Sequence, residues 1–146
     1  MTVSRLALGG APLGGQLHPP GDETADAIVR RAYALGLRHF DTAPLYGAGT
    51  SERRMGHGLA HLPRDEIVLA TKVGRLLRPA PPPDDAASGP ASGGSRDATA
   101  AGEGRGALRP VFDFSYDGVM RSVEESLQRL GLDRVDVLHI HDADKH

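Results

Sequence analysis

Short apolar runs alternate with amphipathic segments along the 146 residues of the chain. Apolar residues recur every three to four positions in three segments and predict helices over 22–35, 51–62 and 115–130. Four short apolar runs predict strands over 5–9, 37–42, 66–72 and 135–141. Strands that alternate with helices predict a parallel sheet connected by right-handed crossovers. The near-continuous apolar character of the strands agrees, because parallel strands are covered on both faces.

Polar residues at the segment ends predict where each helix begins. Asp22, Ser51 and Ser115 each precede an apolar-periodic segment and are candidate N-caps. Glu52 follows Ser51 and is interpreted first as a first-turn partner of the helix dipole, with a role in ordering a site loop as the alternative. Gly56 lies inside the second helical segment and weakens that prediction, because glycine disfavours helix interiors.

Residues 79–110 break the alternation. They contain eight alanines, six prolines and six glycines and show no apolar periodicity. This composition predicts a flexible, low-complexity loop inserted between the third strand and the third helix. The chain as a whole, 1–146, is expected to form one unit, since its length suits a single domain.

Composition excludes several classes of function. Seventeen Lys and Arg residues against nineteen Asp and Glu leave a net charge of −2, so there is no basic footprint for nucleic acid or an anionic membrane. The chain has no cysteine, which removes disulfides, thiolate metal sites and a cysteine nucleophile. No apolar run approaches the length of a membrane span. We therefore expect a cytoplasmic protein without a nucleic-acid partner, a membrane partner or a metal site.

Ionisable residues stand where the predicted strands end. Asp41 and Lys72 end the second and third strands, and His141 ends the fourth. Tyr46 lies in the loop that follows Asp41. In folds built from βα units the chemistry lies at the carboxyl ends of the strands, so these four side chains are expected to converge. Lys72 is notable because the chain has only one other lysine, Lys145, among its seventeen basic residues.

This set of side chains is suited to proton transfer. A phenol is a weak acid at neutral pH, and an ammonium group beside it stabilises the phenolate. A carboxylate keeps the ammonium charged and in place, and a neutral imidazole can orient a carbonyl or alcohol oxygen. No side chain donates hydride, so an oxidation or reduction at this site requires a nicotinamide cofactor.

Three segments of the chain resemble the aldo-keto reductases in order and spacing: LRHFDTAPLYGAGTSERRMG, then IVLATKVG, then SVEESLQRLGLDRVDVLHIHD. Together they cover most of the chain outside 79–110. The segment FDFSYDGVMRS and the ending HDAD resemble more narrowly the bacterial aldose 1-dehydrogenases, which oxidise L-fucose and related sugars. An enzyme similar to pyridoxal 4-dehydrogenase is the near alternative.

The resemblance implies a (β/α)₈ TIM barrel that uses NADP or NAD and acts on a small sugar or aldehyde. By position in the motifs, Tyr46 would be the proton donor and acceptor, and Lys72 and Asp41 would tune it. Asp41 would also contribute to cofactor binding, and His141 would orient the substrate. His139 stands where the family usually has an aliphatic residue.

The length departs from the family pattern. A (β/α)₈ barrel typically takes about 250 residues, whereas four strands and three helices are predicted here. The expected structure is therefore a partial barrel, the amino-terminal half, whose partner would be a carboxyl-terminal half-barrel. The family's cofactor contacts come mostly from the later strands. On its own such a half is expected to be inactive and prone to association, because sheet edges and an apolar inner face would be exposed.

Other interpretations stay open. The chain could be a non-catalytic relative kept for cofactor sensing or partner binding, or a remnant. It could also be an unrelated α/β binding module if the four site residues do not converge. His39 and His139 each precede a site residue by two positions and so share its strand face. They suggest a contact or proton path below the site, although ordinary hydrogen-bonded interior histidines are the favoured interpretation.

Overall fold

The computed structural model describes residues 4–15, 20–80 and 108–143. In chain order its strands are β1 (Ala7–Gly9), β2 (His39–Asp41), β3 (Val68–Val73), β4 (Arg75–Pro79), β5 (Leu108–Phe112) and β6 (Val137–Ile140). Its helices are α1 (Asp22–Ala34), α2 (Thr50–Leu59) and α3 (Tyr116–Leu130). Two short 3₁₀ helices, Ala11–Gly14 and Arg64–Glu66, lie in the connections after β1 and before β3.

Four of the strands form one parallel sheet in the order β1-β2-β3-β6. A helix lies between each pair of consecutive strands of this sheet, as the alternating pattern predicts. The predicted α/β class and partial-barrel architecture are confirmed. Within the ladder Asp41 pairs with Ala70, and Lys72 pairs with His139, so the site-bearing ends of β2, β3 and β6 are adjacent.

The apolar core lies between this sheet and the helices. Phe40 and Leu69 point from neighbouring strands to the helical side and have no exposed surface. Strand residues alternate between the two faces, so their neighbours Asp41 and Ala70 point to the opposite side of the sheet. The buried members of the core cluster are Leu13, Ala25, Val29, Ala32, Phe40, Met55, Leu59, Ile67, Leu69 and Leu130.

An antiparallel hairpin follows β3, and its two strands overlap the two ends of the segment 79–110 that the composition predicts to be a loop. Strand β4 pairs with β5, and Pro79 stands opposite Leu108. The prediction of a loop over 79–110 is therefore wrong at both of its ends. Leu76 and Leu77 anchor β4 by burial, but the high content of Ala, Pro and Gly farther along obscures the strand signal. The interior of the predicted loop, 81–107, lies outside the described residues.

Two of the three predicted N-caps are wrong. Helix α1 begins at Asp22 after Gly21, and the Asp22 carboxylate instead accepts a hydrogen bond from Arg54 Nε at 2.7 Å. Helix α2 begins at Thr50, so Ser51 lies inside it. Ser115 is confirmed, because its hydroxyl oxygen accepts a hydrogen bond from the backbone N–H of Gly118 at 3.1 Å.

The start of α3 is expected to be sensitive to acid. Asp113 Oδ1 accepts the Ser115 hydroxyl at 2.6 Å and the Ser115 backbone N–H at 3.1 Å. The Ser115 side-chain hydrogen bond is the main cause that lowers the pKa of Asp113 below its ordinary value of 3.8, followed by the Ser115 backbone N–H. Because the pKa of Asp113 is lower in the folded chain than in the unfolded chain, its carboxylate stabilises the folded chain at pH values above the ordinary pKa. This stabilisation is lost as the pH falls through the lower pKa of the folded chain.

We therefore expect the amide signals of Ser115 and Gly118 in NMR spectra to hold steady down to about pH 4 and to shift only below it. In Asp113→Asn the low-pH shift should be absent, while the signals of α1 behave as in the parent chain. A shift of the Ser115 amide signal centred well above the ordinary carboxyl range would contradict the expectation.

Candidate active site

Lys72 is held by three hydrogen bonds at the end of β3. Its Nζ donates to both carboxylate oxygens of Asp41, at 2.9 and 2.7 Å, and to the backbone carbonyl of Thr42 at 3.0 Å. An ammonium group has three N–H donors, so all of them are used within the protein. The Lys72 side chain is 15% exposed and the Asp41 side chain 28%. The pair is thus a fixed, partly buried charge pair rather than two mobile surface groups.

Tyr46 lies beside this pair. Lys72 Nζ is 4.9 Å from the centroid of the Tyr46 ring, within the range of a cation–π interaction. The His141 ring meets the Tyr46 ring edge-on, with 6.0 Å between centroids and an interplanar angle of 74°. His141 is buried, and its backbone N–H donates to the carbonyl of Val73 at 3.0 Å. The structure therefore brings together all four side chains predicted from the strand ends.

The loop that carries Tyr46 is fixed by backbone contacts. The Tyr46 backbone N–H donates to the carbonyl of Ala43, and its carbonyl accepts the N–H of Ser51. Gly14 and Gly47 pack backbone to backbone: a Cβ on Gly47 would lie 2.0 Å from the carbonyl oxygen of Gly14. Gly47 also has a φ of +61°, in the region that favours glycine. These contacts leave the Tyr46 ring little freedom to move away from Lys72.

A set of buried polar residues lies behind the site and was missed by sequence reasoning. The Ser51 hydroxyl donates to the carbonyl of Gly10 at 2.7 Å and lies 2.9 Å from the Thr42 hydroxyl. Because the Ser51 proton is used by Gly10, Thr42 is the donor in the second hydrogen bond. A signal was available in the sequence: Thr42 and Thr71 are polar residues at the helix-facing positions next to Asp41 and Lys72, and buried hydroxyls require partners.

Glu52 does not act only as a partner of the helix dipole. Its side chain has no exposed surface, although it lies in the first turn of α2. One carboxylate oxygen accepts the Thr71 hydroxyl at 2.8 Å and the other accepts Arg129 Nε at 2.5 Å. The interpretation of Glu52 as a first-turn partner of the helix dipole agrees with its place in α2, but the side chain also points inward and joins α2 to β3 and α3.

The pairing of His39 with His139 is not seen. His39 is opposite Val68 and His139 is opposite Lys72, four residues farther along β3. No hydrogen bond links the two rings in the part of the chain that the structure describes. His39 Nε2 is buried without a hydrogen-bond partner there, and His139 is exposed. The structure therefore supports neither a direct proton path between them nor the interpretation of both as hydrogen-bonded interior histidines.

The described residues form no second site of comparable chemistry. Within 4–15, 20–80 and 108–143, no three His, Cys, Asp or Glu residues are grouped so that they could hold a metal ion. None of the helices described is long and apolar enough to cross a membrane. A groove of about 610 Å³ lies between α1 and α2 and contains none of the four site residues. Two pairs of its side chains are hydrogen-bonded to each other, Arg54 to Asp22 and His57 to Asp26.

Comparison with known proteins agrees with this geometry. The family described as the aldo/keto reductase family matches residues 5–146. Pyridoxal 4-dehydrogenase from Microbacterium luteolum is 41% identical over 161 residues, covering 100% of this chain and 43% of the relative. D-threo-aldose 1-dehydrogenase from a Pseudomonas species is 40% identical over 160 residues, covering 100% of this chain and 42% of the relative.

A solved structure shows the same relation. The aldo-keto reductase AKR11C1 from Bacillus halodurans, in its holo form, superposes with a TM-score of 0.66 and 26% sequence identity. That match covers 98% of this chain and 39% of the other. The chain therefore spans about two fifths of the length of each of these three proteins.

Proposed function

Given that the chain belongs to the aldo/keto reductase family, we propose that it forms the proton-transfer part of a nicotinamide-dependent oxidoreductase. The observation that carries the proposal is the position of the Lys72 ammonium, 4.9 Å from the Tyr46 ring and tied by all three of its N–H groups to Asp41 and Thr42. A cation fixed in advance beside a phenol needs no reorganisation when negative charge develops on the phenol oxygen.

Tyr46 is the proposed acid and base. In oxidation it accepts the proton of the substrate hydroxyl, and in reduction it returns a proton to the oxygen of the carbonyl group. Lys72 stabilises the phenolate form, and Asp41 keeps Lys72 charged and in place. The low exposure of the Lys72 side chain strengthens this electrostatic effect, because less water screens the charges.

His141 is the proposed orienting group. Its ring is buried and lies edge-on against the Tyr46 ring, so the two side chains are neighbours at the end of the sheet. An imidazole at this place can form a hydrogen bond with the substrate oxygen and align it for proton transfer. It thus contributes to positioning, while Tyr46 exchanges the proton.

The donor set fits a nicotinamide cofactor. The four side chains can hold and move a proton, and a nicotinamide, when bound, supplies the acceptor or donor of hydride. Asp41 would help to hold it, because a carboxylate has acceptor capacity beyond its two bonds to Lys72. Lys72 has no N–H left for a cofactor phosphate, so its role is confined to Tyr46 and Asp41. We propose NADP or NAD as the cofactor.

The proposed substrate is an aldose in its cyclic form, oxidised at C1. Hydride leaves C1, Tyr46 takes the proton of the C1 hydroxyl, and the product is the lactone. The similarity to D-threo-aldose 1-dehydrogenase supports this proposal. Pyridoxal is the second candidate, supported by the similarly high identity to pyridoxal 4-dehydrogenase. We propose that both substrates would use the same proton-transfer residues.

The test is an assay of the natural polypeptide that contains these residues, alongside residues 1–146 alone. Each is mixed with L-fucose or pyridoxal and with NAD or NADP, and formation of reduced nicotinamide is followed by absorbance. We expect turnover by the natural polypeptide with at least one sugar or aldehyde. Cofactor binding without turnover on any of these substrates would instead favour a non-catalytic relative. Rapid turnover by residues 1–146 alone would contradict the proposal that they are only part of the site.

A further inference from the structure

Glu52 is a buried ion behind the proposed site. Its side chain has no exposed surface, and removing a carboxylate from water is costly unless its partners compensate for the lost hydration. Well-packed apolar side chains of similar volume can often replace a buried ion pair without loss of stability. A charged group kept at this place therefore calls for a role in addition to packing.

The Glu52 carboxylate joins three elements. From its place in α2 it accepts a hydrogen bond from the Thr71 hydroxyl of β3 at 2.8 Å. It also accepts Arg129 Nε of α3 at 2.5 Å, and a second nitrogen of Arg129 donates to the Ser126 hydroxyl at 3.1 Å. The Arg129 side chain is 16% exposed, so this ion pair is shielded from solvent. The result is a clamp, which we define as Glu52, Thr71 and Arg129.

The clamp reaches segments of the chain that carry Lys72 and Tyr46. Thr71 immediately precedes Lys72, and the two side chains point to opposite faces of β3. The strand ends one residue later, at Val73, and the chain turns at Gly74 with a φ of +94°. Beyond Ala70 the register of β3 continues with β6 alone, so the hydrogen bond to Thr71 adds a further anchor to the last part of the strand.

Arg129 also packs against the end of the loop that carries Tyr46. A Cβ added to Gly49 would lie 2.6 Å from Arg129 Cδ, so the Arg129 side chain packs closely against the backbone at Gly49. Gly49 lies three residues after Tyr46 and directly before α2. The same ion pair that fixes β3 thus also limits the movement of this loop.

We propose that Glu52 is a positioning residue that keeps the Lys72 ammonium in place beside Tyr46. It does so through its hydrogen bond with Thr71 on the helical side of the sheet. The inference rests on the proposed function, since it assumes that Lys72 and Tyr46 act together. Glu52 touches neither reacting group, and its effect passes through the backbone of β3 and through Arg129.

The first experiment observes Lys72 directly, without turnover. The natural polypeptide that contains these residues is labelled with ¹⁵N-lysine, and the Lys72 ammonium signal in its NMR spectrum is assigned by its absence in Lys72→Arg. In Thr71→Val, which removes the hydroxyl and keeps the branched shape, we expect hydrogen exchange of the Lys72 ammonium with water to become at least about tenfold faster. Thr71→Ser should restore slow exchange. The control is Ser122→Ala, which removes a buried hydroxyl of α3 that is not part of the clamp. It should leave the hydrogen exchange of the Lys72 ammonium unchanged.

The second experiment measures turnover of the natural polypeptide. Misplacement of a reacting group by about 1 Å can cost about 100-fold, and we expect Thr71→Val to lower kcat about tenfold with KM little changed. Glu52→Gln should act in the same direction if it folds, and Thr71→Val carries the test if it does not. Unchanged exchange of Lys72 in folded Thr71→Val would overturn the proposal, whatever the activity shows. Absence of turnover in the parent protein would count against the proposed function alone.

Discussion

Tyr46→Phe is expected to lower kcat by about 100- to 10,000-fold, the usual contribution of a general acid or base. Phenylalanine keeps the ring that contacts Lys72 and His141 and removes only the hydroxyl that would carry the proton. Binding of cofactor and substrate should change little. The measurement is steady-state kinetics of the natural polypeptide with the best substrate from the assay described above.

The matched control is Tyr116→Phe. Tyr116 is 79% exposed at the start of α3, and loss of its hydroxyl should leave kcat within about twofold of the parent value. Both variants should unfold at the same temperature as the parent. If Tyr46→Phe keeps more than about a tenth of the parent kcat while folded, Tyr46 is not the proton-transfer group and the assignment fails.

Gly56→Ala is expected to lower the free energy of unfolding by about 3 kcal/mol, the upper part of the usual range for overpacking a close contact. A Cβ on Gly56 would lie 1.9 Å from the carbonyl oxygen of Leu130, which is backbone and cannot turn aside. To admit the methyl group, α2 and α3 must separate. The clamp between these helices would then also be strained. Urea unfolding followed by circular dichroism provides the measurement.

Gly9→Ala provides the matched control, since a Cβ at Gly9 would meet nothing within 4 Å. Its free energy of unfolding should stay within about 0.5 kcal/mol of the parent value. A Gly56→Ala chain as stable as Gly9→Ala would show that the two helices can move apart at no cost, contrary to the tight crossing described above.

Asp41, Lys72 and His141 were predictable because each of them ends a predicted parallel strand. Asp41 and Lys72 end consecutive parallel strands, so their convergence follows from the alternation of strands and helices, and the structure shows a direct hydrogen-bonded pair. Tyr46 was predicted from the loop motif after Asp41. The glycine that weakened the helical prediction, Gly56, is explained by the close approach of another backbone, a tertiary contact that no local pattern contains.

The support behind the site was not predictable in the same way. Ser51 and Glu52 look like ordinary helix-start residues, because local hydrogen bonding and the helix dipole favour such residues there. Their actual partners, Gly10 and Arg129, are 41 and 77 residues away in the chain. Contacts at that separation depend on how the helices cross the sheet. Helical periodicity reveals which face of a helix is buried, but it does not identify the residue opposite.

The close contact of Gly14 with Gly47 has a practical consequence for anyone who transplants the Tyr46 loop into another scaffold. A side chain on either glycine would collide with the backbone of the other segment, although 33 positions separate the two glycines in the chain. Grafting the loop alone would set Gly47 against whatever side chain the recipient carries. The two segments form a cassette that has to be exchanged as a pair, and a library that varies one should hold the other constant.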